Sequence, residues 1–532
     1  MHFAEGRFTI TFNGEIYNYK YLKAQLENLG HTFRSTSDTE VILALYSEFG
    51  SAMLPMLRGM FALAIWDNKA RTLFLARDPF GIKPLYISDT GSAIHFASQV
   101  KALTPLLEDT TPDPAGHVGF LVLGHVPEPF TLYKGIRALR AGHHATFDES
   151  GSISQAKYAS VRDALLGPSR PYDLHDVLRS SVEHHYVADV PVSLFLSAGR
   201  DSGCLLALST ELPHNSPSTV TLGFTEYQNT EFDETVLASE VAAAYGAKHR
   251  TVRVSSTDFR QEVGRVFEAM DQPSIDGINT YFVSKAAADL KIKVVLSGLG
   301  GDEMFGGYSS FQQVPRLSST LHLGTWAPGV GRAFRQATAA VLPKTASPKY
   351  AGLLEYGGTI EGAYLLRRGL FMPWELDTML DADFARHGWD ALSLLDRMRE
   401  STKDLPTPYA RVAALEMDWY MRDRLLRDSD WASMAHSLEL RVPFVDYELL
   451  RMIGPKIASE APPSKANMAA SPKKTLPQSV LSRVKTGFSV PVREWASGLD
   501  ASHDGEVSYR RWAKIVFKSF CSADCLSEEW RR

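Results

Sequence analysis

Residues 193–203 read SLFLSAGRDSG and residues 294–308 read VVLSGLGGDEMFGGY, and these two stretches decide the fold class. Each is an apolar run that ends in serine and glycine and then reaches an aspartate, Asp201 or Asp302. Short apolar runs bounded by glycine-rich turns are typical of buried strands. Because helical segments alternate with such runs from residue 172 onward, we predict a parallel sheet covered on both faces.

The loops that follow these two strands are candidate phosphate-binding loops. Ligands of parallel sheets bind at the carboxyl ends of the strands, where backbone N–H groups and a helix N-terminus can hold a phosphate. Asp201 and Asp302 are suited to hold a Mg²⁺ ion that binds the phosphate. Either loop alone could be only a tight turn. Two loops with matching chemistry favour nucleotide binding.

The composition is that of an ordinary soluble protein. The 532 residues are 44% hydrophobic and 22% charged, with a formal net charge of -5, so no broad basic field predicts nucleic-acid or acidic-lipid binding. The first residues form no secretory signal, and no apolar run of about 18 residues predicts a membrane span. Three cysteines are too few for a disulfide framework, which favours a reducing cytoplasm.

Two of the cysteines, Cys521 and Cys525, lie close together near the end of the sequence. They could form half of a metal site, but no pair of histidines accompanies them and a closed site needs four ligands. We interpret the pair as part of a C-terminal helix and its frayed end.

Changes in sequence pattern divide the chain into three parts, which we place at 1–157, 172–500 and 501–532. The first part is predicted to be rich in strands, with a turn at Asn13-Gly14 and a hairpin of two apolar strands around Asp67 to Lys69. The third part is a helical tail. Within the second part, residues 461–474 are predicted to form a mobile loop.

Several motifs resemble those of one enzyme family. SAGRDS (197–202) resembles the pyrophosphate-binding loop of ATP pyrophosphatases, whose usual form is SGGxDS. The motifs at 296–308, 433–446 and 482–495 resemble the synthetase domain of glutamine-dependent asparagine synthetases, and those at 12–22, 37–50, 57–67 and 75–86 resemble their amidotransferase domain. The resemblance implies an amidotransferase sandwich of the N-terminal-nucleophile type that lacks its start. A doubly wound parallel-sheet ATP pyrophosphatase domain with a helical C-terminal part would follow it.

The resemblance also implies a two-step reaction. ATP adenylates a carboxylate, releasing pyrophosphate, and ammonia then displaces AMP to leave an amide. Lys485 would neutralise the pyrophosphate, and Asp201 and Asp302 would hold Mg²⁺. The remaining positions that the resemblance assigns to ATP are Leu196, Ser197, Gly199, Ser202, Leu222, Ser297 and Gly298.

The amidotransferase part departs from the family pattern. The family's nucleophile is a cysteine at the mature N-terminus, whereas His2 follows Met1 here and no cysteine precedes Cys204. We therefore expect this chain as written not to hydrolyse glutamine. The resemblance still assigns residues to the glutamine pocket, namely Asn13 and Gly14 as an oxyanion hole and Glu15 and Asp38 as partners of the α-amino group.

Three substitutions fall in the synthetase part. Compared with the motifs of the family that the chain resembles, Ala198 stands in place of the usual glycine, Leu299 in place of a glutamate linked to formation of the acyl-adenylate, and Trp431 in place of a common arginine. Leu299 leaves the acceptor open between aspartate and another carboxylate, such as a sugar acid or a β-lactam or peptide precursor. The third hypothesis is that the chain is a non-catalytic relic that binds nucleotide. The expected partners are small molecules, namely ATP, the acceptor, and ammonia or glutamine; the resemblance also allows a homodimer.

Overall fold

The structure is a computed structural model that describes residues 1–322, 328–338, 347–483, 495, 509–522, 525–527 and 530. Within this part of the chain, no helix is long and apolar enough to cross a membrane. The strands are β1 His2–Phe3, β2 Phe8–Ile16, β3 Gly59–Asp67, β4 Thr72–Arg77, β5 Tyr86–Asp89, β6 Ile94–Ala97, β7 Arg137–Ala138, β8 His143–Asp148, β9 Ile153–Lys157, β10 Val192–Phe195, β11 Ser218–Phe224, β12 Lys248–Val254, β13 Val294–Leu296 and β14 Glu439–Arg441.

The helices before and around the parallel sheet are α1 Tyr19–Asn28, α2 Asp38–Phe49, α3 Val100–Leu103, α4 Pro114–Leu123, α5 Val161–Leu165, α6 Leu174–His185, α7 Arg200–Thr210, α8 Thr235–Ala244, α9 Ser256–Ala269, α10 Ile278–Asp289 and α11 Gly301–Phe305. The helical C-terminal part contains α12 Ser310–Leu321, α13 Pro328–Thr338, α14 Leu353–Tyr356, α15 Ile360–Arg368, α16 Ala382–Leu392, α17 Leu394–Thr402, α18 Pro408–Leu415, α19 Arg427–Met434, α20 Tyr447–Ile457, α21 Lys465–Ala470, α22 Gln478–Leu481 and α23 Tyr509–Phe520. A π-helix, Glu416–Leu426, joins α18 to α19.

The N-terminal part of the chain, from β1 to β9, is a layered antiparallel structure. A six-stranded sheet has the order β1-β2-β3-β4-β8-β9, and a three-stranded sheet has the order β6-β5-β7. Successive residues of β3 point to opposite faces, as the period of a strand requires. Phe61 and Leu63 pack in the cluster that includes α1 and α2, whereas Ala62 and Ala64 pack against residues from the three-stranded sheet. The predicted sandwich is confirmed.

The two local predictions in this part of the chain have different outcomes. The hairpin is confirmed, since β3 and β4 pair antiparallel with Asp67 opposite Thr72. The turn at Asn13-Gly14 is wrong, because both residues lie inside β2, which pairs with β3 through to Ile16. A Cβ atom at Gly14 would lie 2.1 Å from the Met60 carbonyl oxygen. The glycine therefore permits a close approach of strands rather than a turn.

The rest of the chain, from β10 onward, contains the predicted parallel sheet, with the order β12-β11-β10-β13-β14 and parallel pairing throughout. The chain moves from β10 outward to β12 and then returns to the other side of β10 at β13. The order of the sheet thus reverses between β10 and β13, and this reversal is a topological switch point, where open α/β sheets bind their ligands.

The mobile loop predicted at residues 461–474 is wrong. This segment contains α21, which begins with a capping box in which Ser464 and Asn467 exchange hydrogen bonds. Met468 of α21 is fully buried, and its carbonyl oxygen accepts a hydrogen bond from the Cys204 thiol of α7. The small and polar residues of this segment suggested a loop. The helix forms nevertheless, because its cap and a few buried residues stabilise it.

Candidate functional site

A cavity of about 830 Å³ opens at the carboxyl ends of β10 and β13. It is lined by all seven residues predicted to bind ATP, by both predicted metal ligands and by Leu299. These lining residues are Leu196, Ser197, Gly199, Asp201, Ser202, Leu222, Ser297, Gly298, Leu299 and Asp302. Residues more than a hundred positions apart in the sequence are therefore brought to one edge of the sheet.

The loop after β10 is held by its own serines. The Ser197 amide donates to Ser202 Oγ at 3.1 Å, and the Gly199 amide donates to Ser197 Oγ at 3.2 Å. Helix α7 begins directly after Gly199, so its first N–H groups lie at the cavity. A helix N-terminus of this kind favours a bound anion.

The loop after β13 approaches the first loop closely. A Cβ atom at Gly298 would lie 2.9 Å from Asp201 Cβ, and one at Gly301 would lie 2.6 Å from Asp201 Oδ1. Gly300 has a φ of +94°, which an L side chain rarely adopts. The glycines of this loop therefore let the two aspartates come together.

Lys465 connects the two aspartates. Its ammonium group forms an ion pair with Asp201 and lies 3.0 Å from Asp302 Oδ1. Burial alone would lower the pKa of Lys465, but the charges of the two aspartates outweigh burial, and the pKa is raised. A cation thus occupies the space between the two predicted metal ligands. Lys465 is not among the residues predicted for the site, because the composition of residues 461–474 favoured a loop.

Lys485, the lysine predicted to neutralise pyrophosphate, lies outside the described residues. Arg483 lies just before it and lines the cavity, as does its ion-pair partner Glu234. Arg483 Nη2 is 3.3 Å from Glu234 Oε1.

The far side of the cavity carries a second set of polar groups. Asp276 lines it and is 3.1 Å from Arg424 Nη2. Asp428, which also lines the cavity, accepts hydrogen bonds from Ser274 Oγ at 2.6 Å and Trp431 Nε1 at 2.9 Å. Burial raises the pKa of Asp428 to about 6, although the positive charge of Arg427 opposes this.

The three substituted positions have clear structural settings. Ala198 is buried and has no positive φ, so its extra methyl does not strain the backbone. Leu299 lines the cavity with a side chain that cannot hydrogen-bond. Trp431 lies over Gly277, where a Cβ atom would be 2.5 Å from the indole ring.

The residues predicted to bind glutamine lie on β2 and at the start of α2. Asn13 Nδ2 donates to Ser98 Oγ at 3.2 Å, and Asp38 Oδ2 accepts from the Ile16 amide at 3.1 Å. Glu15 faces the second half of the chain, with Oε2 3.6 Å from Arg441 Nη2. Burial raises the pKa of Glu15 to about 7 in spite of Arg441.

Comparison with known proteins identifies both halves. The family model described as "Asparagine synthase" matches residues 173–511, and the one described as "Glutamine amidotransferase domain" matches residues 1–159. Asparagine synthetase [glutamine-hydrolyzing] 1 of Bacillus subtilis is 32% identical over 93% of this chain and 78% of its own length. A putative asparagine synthetase [glutamine-hydrolyzing] of Mycobacterium tuberculosis is 34% identical over 92% of this chain and 76% of its own length.

A solved structure of glutamine phosphoribosylpyrophosphate amidotransferase from B. subtilis covers 56% of this chain and 63% of its own. Its sequence identity is 15% and its TM-score is 0.23, which is too low to establish a common fold. The two family models and the similarity to relatives over nine-tenths of the sequence do not depend on it. This chain belongs to the asparagine synthetase family.

Proposed function

We propose that this chain is an ATP-dependent amide-forming ligase that adenylates a carboxylate and then transfers ammonia to it. The observation that carries the proposal is the arrangement of Asp201, Asp302 and Lys465 in one cavity at the switch point of the parallel sheet. In adenylation, the carboxylate attacks the α-phosphate of ATP and pyrophosphate leaves. This displacement builds negative charge on the phosphate oxygens. Cations and fixed N–H donors stabilise that charge.

In this proposal, the loop at residues 197–202 and the N-terminus of α7 bind the phosphates of ATP. Leu196 and Leu222 border the nucleotide, and Ser297 and Gly298 contact it from the second loop. Asp201 and Asp302 would hold Mg²⁺, since carboxylate oxygens are the ligands this ion prefers. When bound, the ion would neutralise phosphate charge, and Lys465 would move from the carboxylates to the phosphates. We assign Lys485 the same role toward pyrophosphate.

For the acceptor, we propose aspartate as the first candidate, because the relatives are named asparagine synthetases. Asp276 lines the cavity and pairs with Arg424 behind it, and its carboxylate can bind the ammonium group of an amino acid. A different carboxylate is the second candidate. Leu299 favours it, because the glutamate of the family motif that is linked to the acyl-adenylate is absent.

For the nitrogen donor, we propose free ammonia, since the chain as written is expected not to hydrolyse glutamine. Glu15 and Asp38 would still bind the α-amino group of glutamine, with Asn13 and Gly14 at the position of the family's oxyanion hole. Because Glu15 is raised to a pKa of about 7, its affinity for an ammonium group should rise as the pH passes from 6 to 8.

The test is acceptor-dependent release of pyrophosphate by the purified chain with ATP, Mg²⁺ and ammonium. Ammonium makes the measurement independent of glutamine hydrolysis. We expect release that requires aspartate and falls at least about 100-fold in Asp201→Ala, the loss typical of removing one strong electrostatic group. The matched control is Asp289→Ala, because Asp289 is an exposed carboxylate that pairs with Lys285 at 3.4 Å.

Three outcomes separate the candidates. Release with aspartate that disappears in Asp201→Ala supports the first acceptor. Release only with another carboxylate supports the second. A folded chain that releases no pyrophosphate with any carboxylate contradicts the ligase itself and leaves a protein that only binds nucleotide.

A further inference from the structure

A second polar cluster lies outside the cavity described above, where the C-terminal segment meets α4. Helix α23 ends at Phe520, and the next residues include Cys521 and Cys525. A ring nitrogen of His117 and the two Sγ atoms all lie within 4.8 Å of one another. His117 belongs to α4 and is about 400 positions away in the sequence, so the sequence alone does not show that it accompanies the cysteine pair.

A backbone carbonyl fixes the tautomer of His117. His117 Nδ1 lies 2.8 Å from the Asp113 carbonyl oxygen, and a carbonyl oxygen only accepts hydrogen bonds, so Nδ1 carries the proton. The lone pair is then on Nε2. A backbone carbonyl that fixes the tautomer in this way is the usual outer partner of a metal-binding histidine.

We propose that His117, Cys521 and Cys525 bind a zinc ion. Two thiolates and one imidazole form a ligand set that selects zinc over magnesium or calcium. Bonds of about 2.0–2.3 Å place tetrahedral ligands roughly 3.5–3.8 Å apart, so atoms that lie within 4.8 Å of one another need to close by at most about 1.3 Å. Cys521 is half-buried, and water can reach the fourth position from its side.

The charge balance suits the burial of the cluster. His117 is 2% exposed and Cys525 is 1% exposed. Binding breaks two S–H bonds, forms two Zn–S bonds and releases two protons. The resulting unit of Zn²⁺, two thiolates and a neutral imidazole has no net charge, and a neutral unit avoids the cost of burying an isolated ion.

The ion would join two distant parts of the chain. One part is α4, which lies in the region matched by the amidotransferase family model. The other is the segment after α23, which is also held by a hydrogen bond from the Asp381 amide to the Cys525 carbonyl at 3.1 Å. Tyr509, at the opposite end of α23, lines the nucleotide cavity. The metal would therefore fix the helix that brings Tyr509 to the cavity.

The experiment is a zinc titration of the full chain after reduction and removal of metal by a chelator. We expect about one tightly bound ion per chain and an increase in the melting temperature when zinc is added. Cobalt in place of zinc should give thiolate-to-metal charge-transfer bands and the visible spectrum of a tetrahedral ion. His117→Gln, Cys521→Ser and Cys525→Ser should each weaken binding by at least about 10–100-fold.

The matched control is Cys204→Ala, because Cys204 is a buried thiol outside the cluster and its loss should leave zinc binding unchanged. The half-buried Cys521 keeps the test valid if a variant at a buried position fails to fold. The proposal is overturned if the reduced wild-type chain binds no zinc. It is also overturned if Cys521→Ser binds zinc as well as wild type, or if the two cysteines form a disulfide and the reduced pair still takes up no metal.

Discussion

Acidic residues of both candidate sites are paired with a cation from a distant part of the chain, but the two pairings differ in kind. Glu15 faces Arg441 across the two halves of the molecule, with 3.6 Å between the charged atoms. Asp201 and Asp302 share the ammonium group of Lys465. Arg441 also donates to the carbonyl oxygens of His185 at 2.9 Å and Val187 at 2.6 Å, whereas the contacts described for Lys465 are with carboxylates.

The difference indicates that Arg441 has a structural role, whereas Lys465 is available to bind a ligand. Arginine presents a planar fork of five donors, so it can satisfy several fixed acceptors at once. Arg441 is 1% exposed, and its own carbonyl oxygen accepts from the Ser297 amide. Lysine is a point charge on a flexible stem. Lys465 can therefore exchange a carboxylate for a phosphate without disturbing the backbone.

Removing Arg441 gives the largest effect that we expect on stability. Arg441→Met leaves the buried carbonyl oxygen of His185, the partly buried one of Val187 and the carboxylate of Glu439, which lies 2.6 Å from Arg441 Nε, without their donor. We expect a loss of roughly 3–5 kcal/mol, the cost of breaking a buried ion pair by removing one partner. Thermal and denaturant unfolding measure it. The control is Arg451→Met, which removes an exposed arginine that pairs with Glu448, and equal losses in the two variants would contradict the structural role of Arg441.

Removing Lys465 tests the opposite role. Lys465→Met should lower ATP-dependent pyrophosphate release by about 100-fold, equivalent to about 3 kcal/mol of transition-state stabilisation. Lys465→Arg keeps the charge but not its compact shape, so it should recover only part of the rate. Activity assays with circular dichroism separate this effect from misfolding. A folded Lys465→Met protein with the wild-type rate would show that this lysine, like Arg441, is only structural.

The smallest effect concerns Asp428 and depends on pH. Burial raises the pKa of Asp428 from 3.8 to about 6, although the positive charge of Arg427 opposes this. The carboxyl group therefore stays protonated to a higher pH in the folded state than in the unfolded state. This group's contribution to stability is therefore complete below pH 4 and is lost as the pH rises through 6. Asparagine does not titrate, so Asp428→Asn avoids this loss. As the pH rises from 4 to 7, the free energy of unfolding of the variant should increase by roughly 1–3 kcal/mol relative to that of wild type.

Melting curves of wild type and Asp428→Asn at several pH values measure this difference. Asp289→Asn is the control, since Asp289 is an exposed carboxylate and its replacement should give a difference that does not change with pH. A constant difference for Asp428→Asn would contradict the raised pKa.

Much of the fold could be predicted from local sequence. The two apolar runs within residues 59–77 predict the hairpin, because they flank the turn at Asp67 to Lys69. The apolar runs before Ser197 and Ser297 predict buried parallel strands, since both faces of such strands are covered. The resemblance of seven ordered motifs indicated the family. It also assigned the residues that the structure brings around one cavity, although their binding roles remain predictions.

The local predictions that failed did so because long-range contacts decided them. Asn13-Gly14 is typical of a turn, but pairing with β3 keeps it in a strand. Residues 461–474 are small and polar, but the cap at Ser464 and the burial of Met468 make part of them helical. Local preferences amount to about 1 kcal/mol per residue or less, so a few tertiary contacts outweigh them.

The sequence by itself determined the periodicities, the two glycine-rich loops and the membership of the family, because each depends on residues that are close neighbours in the chain. Only the tertiary structure decided which cation meets which acid and which histidine meets the cysteine pair. Lys465 is 264 positions from Asp201, and His117 is in the opposite half of the chain from Cys521. Charges and lone pairs act over a few ångströms of space whatever their separation in sequence, so their pairing becomes visible only once the chain has folded.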